Sequence, residues 1–415
     1  MTKPPISVIE HKRYTAQHFG KENYELIKEL CLEEDFRQIM SYHNAQICFD
    51  KYAGVFQLKN GTYIEVLPKT CTSCEEIETS RKIFLKMISK LQSEYYKQIS
   101  NTDIDAQKFP LLEIFITLFL NELDVLFKRG LRKNYVDISE NSLFIKGKIK
   151  VNENIRHNIT HRERTFIEYS EFTENIPENK ILKKAALFLK DRSNNFSNIK
   201  RLRHTLFNLE EIGIPDNIDY EFSQIHLSRL NSYYQRPLDI ARIFLKGSSF
   251  IPQAGSNNLV SLLFPLNKLF EDYVFNFLFN DYSKIPVKVK SQHTKYNLLQ
   301  EPKKFKLRPD IVIQHKFEDK IAIVDAKWKL IDESNYQYKF DVAQSDLYQL
   351  YAYGKKYQQD VKNVELFLVY PKTDKFTEMI SWKFEENLNI NLVPFDLIGD
   401  VFIDDDKLSK FLTGV

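Results

Sequence analysis

The apolar run Ile321-Ala-Ile-Val324 passes straight into Asp325-Ala326-Lys327. A run of that kind fills the middle of a sheet buried on both faces. Asp325 and Lys327 are two residues apart, so on a strand they share one face. Charges at the end of a buried strand need partners, because an unpaired buried ion is strongly destabilising. The partner sits one strand upstream, in Arg308-Pro309-Asp310-Ile-Val-Ile313, across a short charged turn near His315–Lys320. A hairpin that closes with Gln314 opposite Ile321 sets Asp310 opposite Asp325. Cross-strand partners have Cβ atoms roughly 5 Å apart. Two carboxylates so placed repel, and one is driven to keep a proton. A bound divalent cation removes that conflict, and a site with few carboxylate ligands suits Mg²⁺. The plainer alternative is a surface hairpin with an ordinary Asp–Lys pair, which contributes little; the apolar flank of Asp325 argues against it.

The surrounding pattern is α/β. An apolar helix is expected over Leu262–Phe279, strands over Pro286–Lys290, Lys306–Gln314 and Ile321–Trp328, a helix over Asp341–Tyr357, and a strand over Glu365–Tyr370 ended by Pro371. That order predicts a mixed sheet with helices packed on it. The first ~100 residues mix short strands and helices. Tyr52–Leu58 and Tyr63–Pro68 flank Asn60-Gly61, a strong hairpin signal. Helical spacing appears over Thr79–Gln98, Leu111–Phe127 and Glu178–Lys190, the last with Pro177 at its start. Tyr135–Val151 reads as strand–turn–strand, Asn152–Arg164 is polar and basic, and residues 191–250 are mostly helical. The fold class is therefore α/β, mixed α+β overall, in three segments: an N-terminal α+β region over 1–160, a mainly helical connection over 161–255, and a C-terminal α/β domain over 256–415. The last boundary is drawn at the small polar residues Gly255–Asn258.

Composition excludes several classes. The net charge of +3 neither demands nor forbids nucleic acid, so a phosphate-binding surface has to come from local clusters. Candidates are Arg156, His157, His161, Arg162 and Arg164; Lys200, Arg201, Arg203 and His204; and Lys284, Lys288 and Lys290. Such contacts give affinity without sequence choice, although charge runs are more often solvated faces. The N-terminus lacks a signal-peptide pattern and no apolar run has the length of a membrane span, so a cytoplasmic location with no membrane association is expected. Cys71 and Cys74 have knuckle spacing, but Cys31 and Cys48 form no second pair, and free thiols are the better reading. His157 and His161 have metal-like spacing in polar, basic surroundings that favour no metal. No Gly-x-x-x-x-Gly-Lys-Ser/Thr loop is present, so the chain lacks the usual nucleotide cradle.

Pro309-Asp310 followed by Asp325-x-Lys327 resembles the PD-(D/E)xK nuclease superfamily. Members often add an acid on the preceding helix, here Glu271, and a Gln-x-x-x-Tyr pair on the following one, here Gln349 and Tyr353. The chain is similar to the McrC family, the nuclease subunits of McrBC-type modification-dependent restriction systems. The resemblance takes in Gly54–Leu58 with Ile64–Lys69, Leu131-Arg132-x-Asn134-Tyr135, Phe144–Lys148, Asn154–Arg156, Tyr169–Phe172, Asn175–Leu182, Phe270-Glu271-x-Tyr273 and the three core residues. It implies a restriction-endonuclease-like core with Asp310, Asp325, Lys327, Glu271, Gln349 and Tyr353 as catalytic residues. It implies Mg²⁺ held by Asp310, Asp325, Glu271 and the main chain of Ala326. It implies DNA, methylated or otherwise modified, as substrate. A separate McrB-like AAA+ NTPase, usually a GTPase, is the implied partner, docked by analogy on the N-terminal ~160 residues. Two other readings stay open: an autonomous repair or recombination nuclease, and a non-catalytic adaptor that activates an AAA+ partner.

Overall fold

The computed structural model describes residues 4–69 except 35, 77–89, 110–246, 261–282, 285–299, 301–302, 304–335, 340–403, 408 and 410–411. Two compact units are formed, one from Met1–Leu111 with Phe250–Val415 and one from Leu112–Ser249. The end of the second unit lies close to the expected division at 255, whereas the expected division at 160 falls inside that unit, and the first segment joins the last. The reason is a strand pairing between distant segments, which local sequence pattern cannot reveal. Gly255–Asn258, Cys71, Cys74 and Lys284 lie outside the described residues.

The first unit holds two main sheets. In the smaller, Ile6–Ile9 lies parallel to Tyr63–Leu67, which pairs antiparallel with Tyr52–Gln57, which pairs in turn with Ser261–Pro265. The hairpin expected around Asn60-Gly61 is present, with Gly61 at a φ of +85°. The expected helix over Leu262–Phe279 is corrected: its first residues are the strand Ser261–Pro265, and the helix runs Leu266–Asp281. A short apolar run fits a buried strand as well as a helix, and here Pro265 ends the strand and caps the helix. Ile77–Ser89 is helical; the remainder of the expected helix to Gln98 lies outside the described residues.

The larger sheet has seven strands, in the order Val287–Ser291, Ile311–His315, Lys320–Ala326, Asn363–Pro371, Leu388–Asp396, Ile380–Glu385, with Val401–Phe402 also on Leu388–Asp396. The first three are antiparallel neighbours, and the next two join in parallel, so the sheet is mixed as expected. The helix Gln344–Tyr357 covers one face, where Leu350, Tyr353 and Tyr357 pack with Val312, Ile321, Ile323, Leu366 and Leu368. On the other face Phe270, Tyr273 and Phe277 of the Leu266–Asp281 helix meet the ring of Phe395.

In the second unit, Asn134–Ser142 pairs along its whole length with Thr165–Thr173, and Lys148–Ile149 pairs with the same strand. The strand–turn–strand expected over Tyr135–Val151 is present as Asn134–Ser142 and Lys148–Ile149, and both arms pair with Thr165–Thr173 rather than with each other. The basic segment 152–164 begins with a short helix, Val151–His157. Pro177 opens the helix Pro177–Lys190, where the fixed φ of proline suits the first turn. Within it, Glu178 pairs with Arg132, while Asn179 donates to the carbonyls of Arg132 and Glu174 and accepts from the Tyr234 hydroxyl. Arg201 is taken up by Asp124 at 2.6 Å, and His161 meets Glu163. Among the described residues, no helix is long and apolar enough to cross a membrane.

Gly54 holds the pairing that joins the N-terminal and C-terminal segments. Its φ is +144°, and a Cβ there would lie 1.9 Å from the Leu262 carbonyl oxygen. Gly54→Ala should therefore destabilise the chain by more than about 2 kcal/mol in denaturant unfolding. Gly61→Ala, at a positive φ with nothing near its Cβ, should cost only about 1 kcal/mol. Equal effects of the two would refute this account of the close approach.

Candidate active site

The expected hairpin register is observed, with Gln314 opposite Ile321, Ile313 opposite Ala322, Val312 opposite Ile323 and Ile311 opposite Val324. Asp310 and Asp325 are the next pair along. Asp310 Oδ2 accepts the main-chain N–H of Ala326 at 3.0 Å, which closes that end of the hairpin. The Lys327 ammonium is 2.7 Å from Asp325 Oδ2 and 4.0 Å from Asp310 Oδ2. Lys327 is held in turn by its own N–H, which donates to the Val369 carbonyl on the parallel neighbour.

Burial decides the electrostatics. Asp325 has no solvent exposure, and its Oδ1 receives no hydrogen bond. Asp310 is pushed up to about 8, first by burial and then by the Asp325 charge, with Lys327 opposing. Asp325 is raised too, by burial, again against Lys327. Burial alone would pull Lys327 down, but Asp325 and Asp310 outweigh it and hold the ammonium above the usual lysine range. One lysine thus faces two carboxyl groups, Asp325 fully buried and Asp310 partly exposed, and Asp325 Oδ1 is an orphaned acceptor. Such an acceptor-rich, donor-poor pair fits a divalent cation.

Glu271 approaches without joining the pair. Its charge adds to the repulsion on Asp310, but its carboxylate accepts from Lys268 and from Gln292 Nε2, each at 3.1 Å. Among the described residues no three His, Cys, Asp or Glu side chains converge as a ready metal cage. Gln292 also gives its main-chain N–H to the Asp310 carbonyl at 2.8 Å, from a left-handed backbone. It therefore links the turn after the edge strand to both acids. Ala326 contributes its N–H, as above.

Gln349 and Tyr353 meet on one helical face, Gln349 Nε2 donating to the Tyr353 hydroxyl at 2.7 Å. The hydroxyl donates to the Arg308 carbonyl at 3.1 Å, two residues before Asp310. The pair braces the Pro-Asp segment from the covering helix. Sequence reading did not single out Gln292, Lys329 with its 2.6 Å partner Asp346, or His293. Each acts through a partner distant in the chain, and nothing in local spacing marks it.

A family model described as McrBC 5-methylcytosine restriction system component matches residues 47–371. The chain belongs to this McrBC family. It is similar to a chain of the Thermococcus gammatolerans assembly of McrB AAA+ hexamers with bound McrC, at 20% identity and a TM-score of 0.67, covering 99% of each chain. A second match, to the Thermococcus gammatolerans McrBC complex, has 20% identity and a TM-score of 0.46 over 68% of this chain and 88% of that one. The first of these likenesses shows a shared fold along the whole chain. Comparison with curated proteins finds no match. Family membership makes the chain a restriction-system component and suggests a divalent metal.

The carboxyl pair has a consequence for metal-free protein. A carboxyl of ordinary pKa near 3.9 when unfolded and about 8 when folded binds protons more tightly in the folded state. Its contribution is greatest below pH ~4 and is lost as pH rises through about 8. In chelator, Asp310→Asn should therefore melt higher than wild type at pH 8, by about 2–4 °C for each kcal/mol of repulsion relieved, and the gap should close at pH 5. A wild-type advantage at pH 8 under chelation would contradict the assigned repulsion.

Proposed function

We propose that this chain is the Mg²⁺-dependent DNA endonuclease subunit of a McrBC-like restriction complex. The observation that carries the reading is the pairing of Asp310 and Asp325, one with an orphaned oxygen, beside the Lys327 ammonium. Asp310 and Asp325 would hold the cation, with Glu271 available as a further acid. Bound there, Mg²⁺ supplies charge neutralisation at a phosphodiester and acidifies water. Lys327 is placed to orient the attacking water and to stabilise the charge that builds on the phosphate. Tyr353 and Gln349 keep the Asp310 segment in place from the helix above it.

The DNA path is supported by the edge strand Val287–Ser291. Lys290 pairs with Val312 and Lys288 with Gln314, so both share the face of Asp310. Lys290 lies one strand over and two residues down from Asp310, about 8 Å away. Neither lysine has a carboxylate at ion-pair distance among the described residues. Lys290 instead lies 3.4 Å from Nε2 of His293, whose Nδ1 meets the Tyr357 hydroxyl at 2.8 Å. Burial and the neighbouring lysines hold His293 below the usual range. A neutral imidazole therefore steers a cation that remains free to neutralise phosphate. Lys290→Ala, measured with Ca²⁺ in place of Mg²⁺, should weaken DNA binding regardless of sequence and reduce the slope of log K against log salt by about 1. An unchanged slope would remove Lys290 from the path.

The partner is proposed to be a separate AAA+ NTPase, as in the Thermococcus gammatolerans assembly. Within the segment assigned to docking, Leu143, Phe144, Ile145, Val151, Ile155 and Ile159 are all exposed. Clustered exposed apolar side chains favour a protein contact. Function should then be separable. With the AAA+ protein, nucleotide and methylated plasmid, Asp325→Ala and Lys327→Ala should lose cleavage by at least about 10³-fold and keep stimulation of nucleotide hydrolysis. Phe144→Asp should lose stimulation and keep metal binding. Cleavage by the wild-type chain alone would instead support the autonomous nuclease, and stimulation without any cleavage would support the adaptor.

A further inference from the structure

The residue after Lys327 carries a contact that the nuclease chemistry does not use. Trp328 is buried, and its indole N–H donates to Glu10 Oε1 at 2.6 Å across 318 positions of chain. Glu10 is 1% exposed and follows the first strand of the N-terminal sheet, where its own N–H donates to the Leu67 carbonyl. The same Oε1 accepts the Lys69 N–H at 3.2 Å. On its other side the indole packs edge-on against Phe270, ring centroids 5.5 Å apart, and Phe270 precedes Glu271. One side chain is therefore clamped between the N-terminal sheet and the helix that carries the third acid. Its backbone continues directly from Ala326-Lys327, past the last residue of the strand.

Alternation along the strand explains the arrangement. Asp325 and Lys327 point toward the helix Gln344–Tyr357, so Ala326 and Trp328 point to the opposite face. Lys327 has left the strand ladder, keeping one main-chain hydrogen bond to Val369. The indole is thus one of the ties on that segment, beside the Lys327 N–H to Val369 and the ion pair of the ammonium with Asp325. Truncating a buried partner leaves the other group unsatisfied and free to reorient.

We propose that Glu10 is a positioning residue for the metal and water site, acting through Trp328 on Lys327 and, through Phe270, on Glu271. The proposal rests on the nuclease reading above and names the link by which the N-terminal sheet acts on that site. Burial pushes Glu10 up to about 8, so the neutral carboxyl is its main form at pH 7, and glutamine imitates it while keeping the acceptor.

The test uses the full chain with Trp382→Phe, which leaves Trp328 as its one tryptophan. Mn²⁺ is titrated by quenching of the Trp328 emission, and cleavage is measured separately with the AAA+ partner. Glu10→Ala should shift the emission, weaken Mn²⁺ binding about tenfold and lower kcat about tenfold with KM for DNA little changed. Glu10→Gln should restore all three. Should Glu10→Ala fail to fold by circular dichroism, Glu10→Gln is compared with Glu10→Leu, which fills the space without an acceptor, by the same readouts. Wild-type Mn²⁺ affinity in the acceptor-less variant would overturn the proposal, as would failure of glutamine to rescue. If no variant and no wild-type protein cleaves DNA, the nuclease reading fails, and the Mn²⁺ titration still decides whether Glu10 positions the site.

Discussion

Two carboxylates share a buried end of one hairpin, and much of the C-terminal architecture can be understood as managing their repulsion. Asp325 is fully enclosed, while Asp310 keeps 17% of its side chain exposed. A pair of this kind raises both groups and leaves the folded state short of donors. Lys327 offsets part of the conflict, and the Ala326 N–H offsets a little more. The remaining orphaned oxygen is what distinguishes the arrangement from a structural ion pair. A stabilising salt bridge would satisfy both oxygens. This one holds acceptors in reserve, which suits a cation that brings its own charge.

The sheet order delivers that pair to a defined place. Antiparallel pairing brings Asp310 to Asp325, and the switch to parallel pairing at Asn363–Pro371 lets the helix Gln344–Tyr357 cross over the same face. Tyr353 then reaches the Arg308 carbonyl and fixes the Pro-Asp segment from above. Gln292 fixes it from the edge by giving its main-chain N–H to the Asp310 carbonyl, while its side chain holds Glu271. Rigid support of this kind matters because a catalytic group displaced by an ångström loses much of its effect. Polar residues that look incidental in the sequence are thus part of the geometry.

The site hairpin was legible because its register follows from local facts: a short turn, two apolar runs and a side-chain period of two. The Gln349–Tyr353 pair was legible for the same reason, since four residues is one helical turn. Leu262–Pro265 reads as helix in the sequence because an apolar run carries no period of its own, and the strand partner Tyr52–Gln57 lies some two hundred residues away. The pairing of Asn134–Ser142 with Thr165–Thr173 was missed because a short helix and a third strand come between them. Strands Ile380–Glu385 and Leu388–Asp396 went unread, although the former alternates in burial; it pairs with its neighbour around a register shift. In each miss the deciding partner lay beyond the reach of local pattern.

The same distance effect bears on how the first unit is joined. Leu266 opens the helix that carries Phe270 and Glu271, and its N–H donates to the Lys51 carbonyl. That helix is therefore anchored where Ser261–Pro265 lies against the N-terminal hairpin. Trp328 supplies a second anchor, on Glu10. Two elements of the candidate site, from two parts of the chain, thus end on one N-terminal sheet. Closing so long an intervening segment is entropically mild, because the cost grows only with the logarithm of its length. What the pairing gains is larger: a displaced N-terminal sheet would release both the acid-bearing helix and the lysine-bearing strand end. The N-terminal segment is therefore better understood as a wall of the C-terminal core than as a separate module tethered to it.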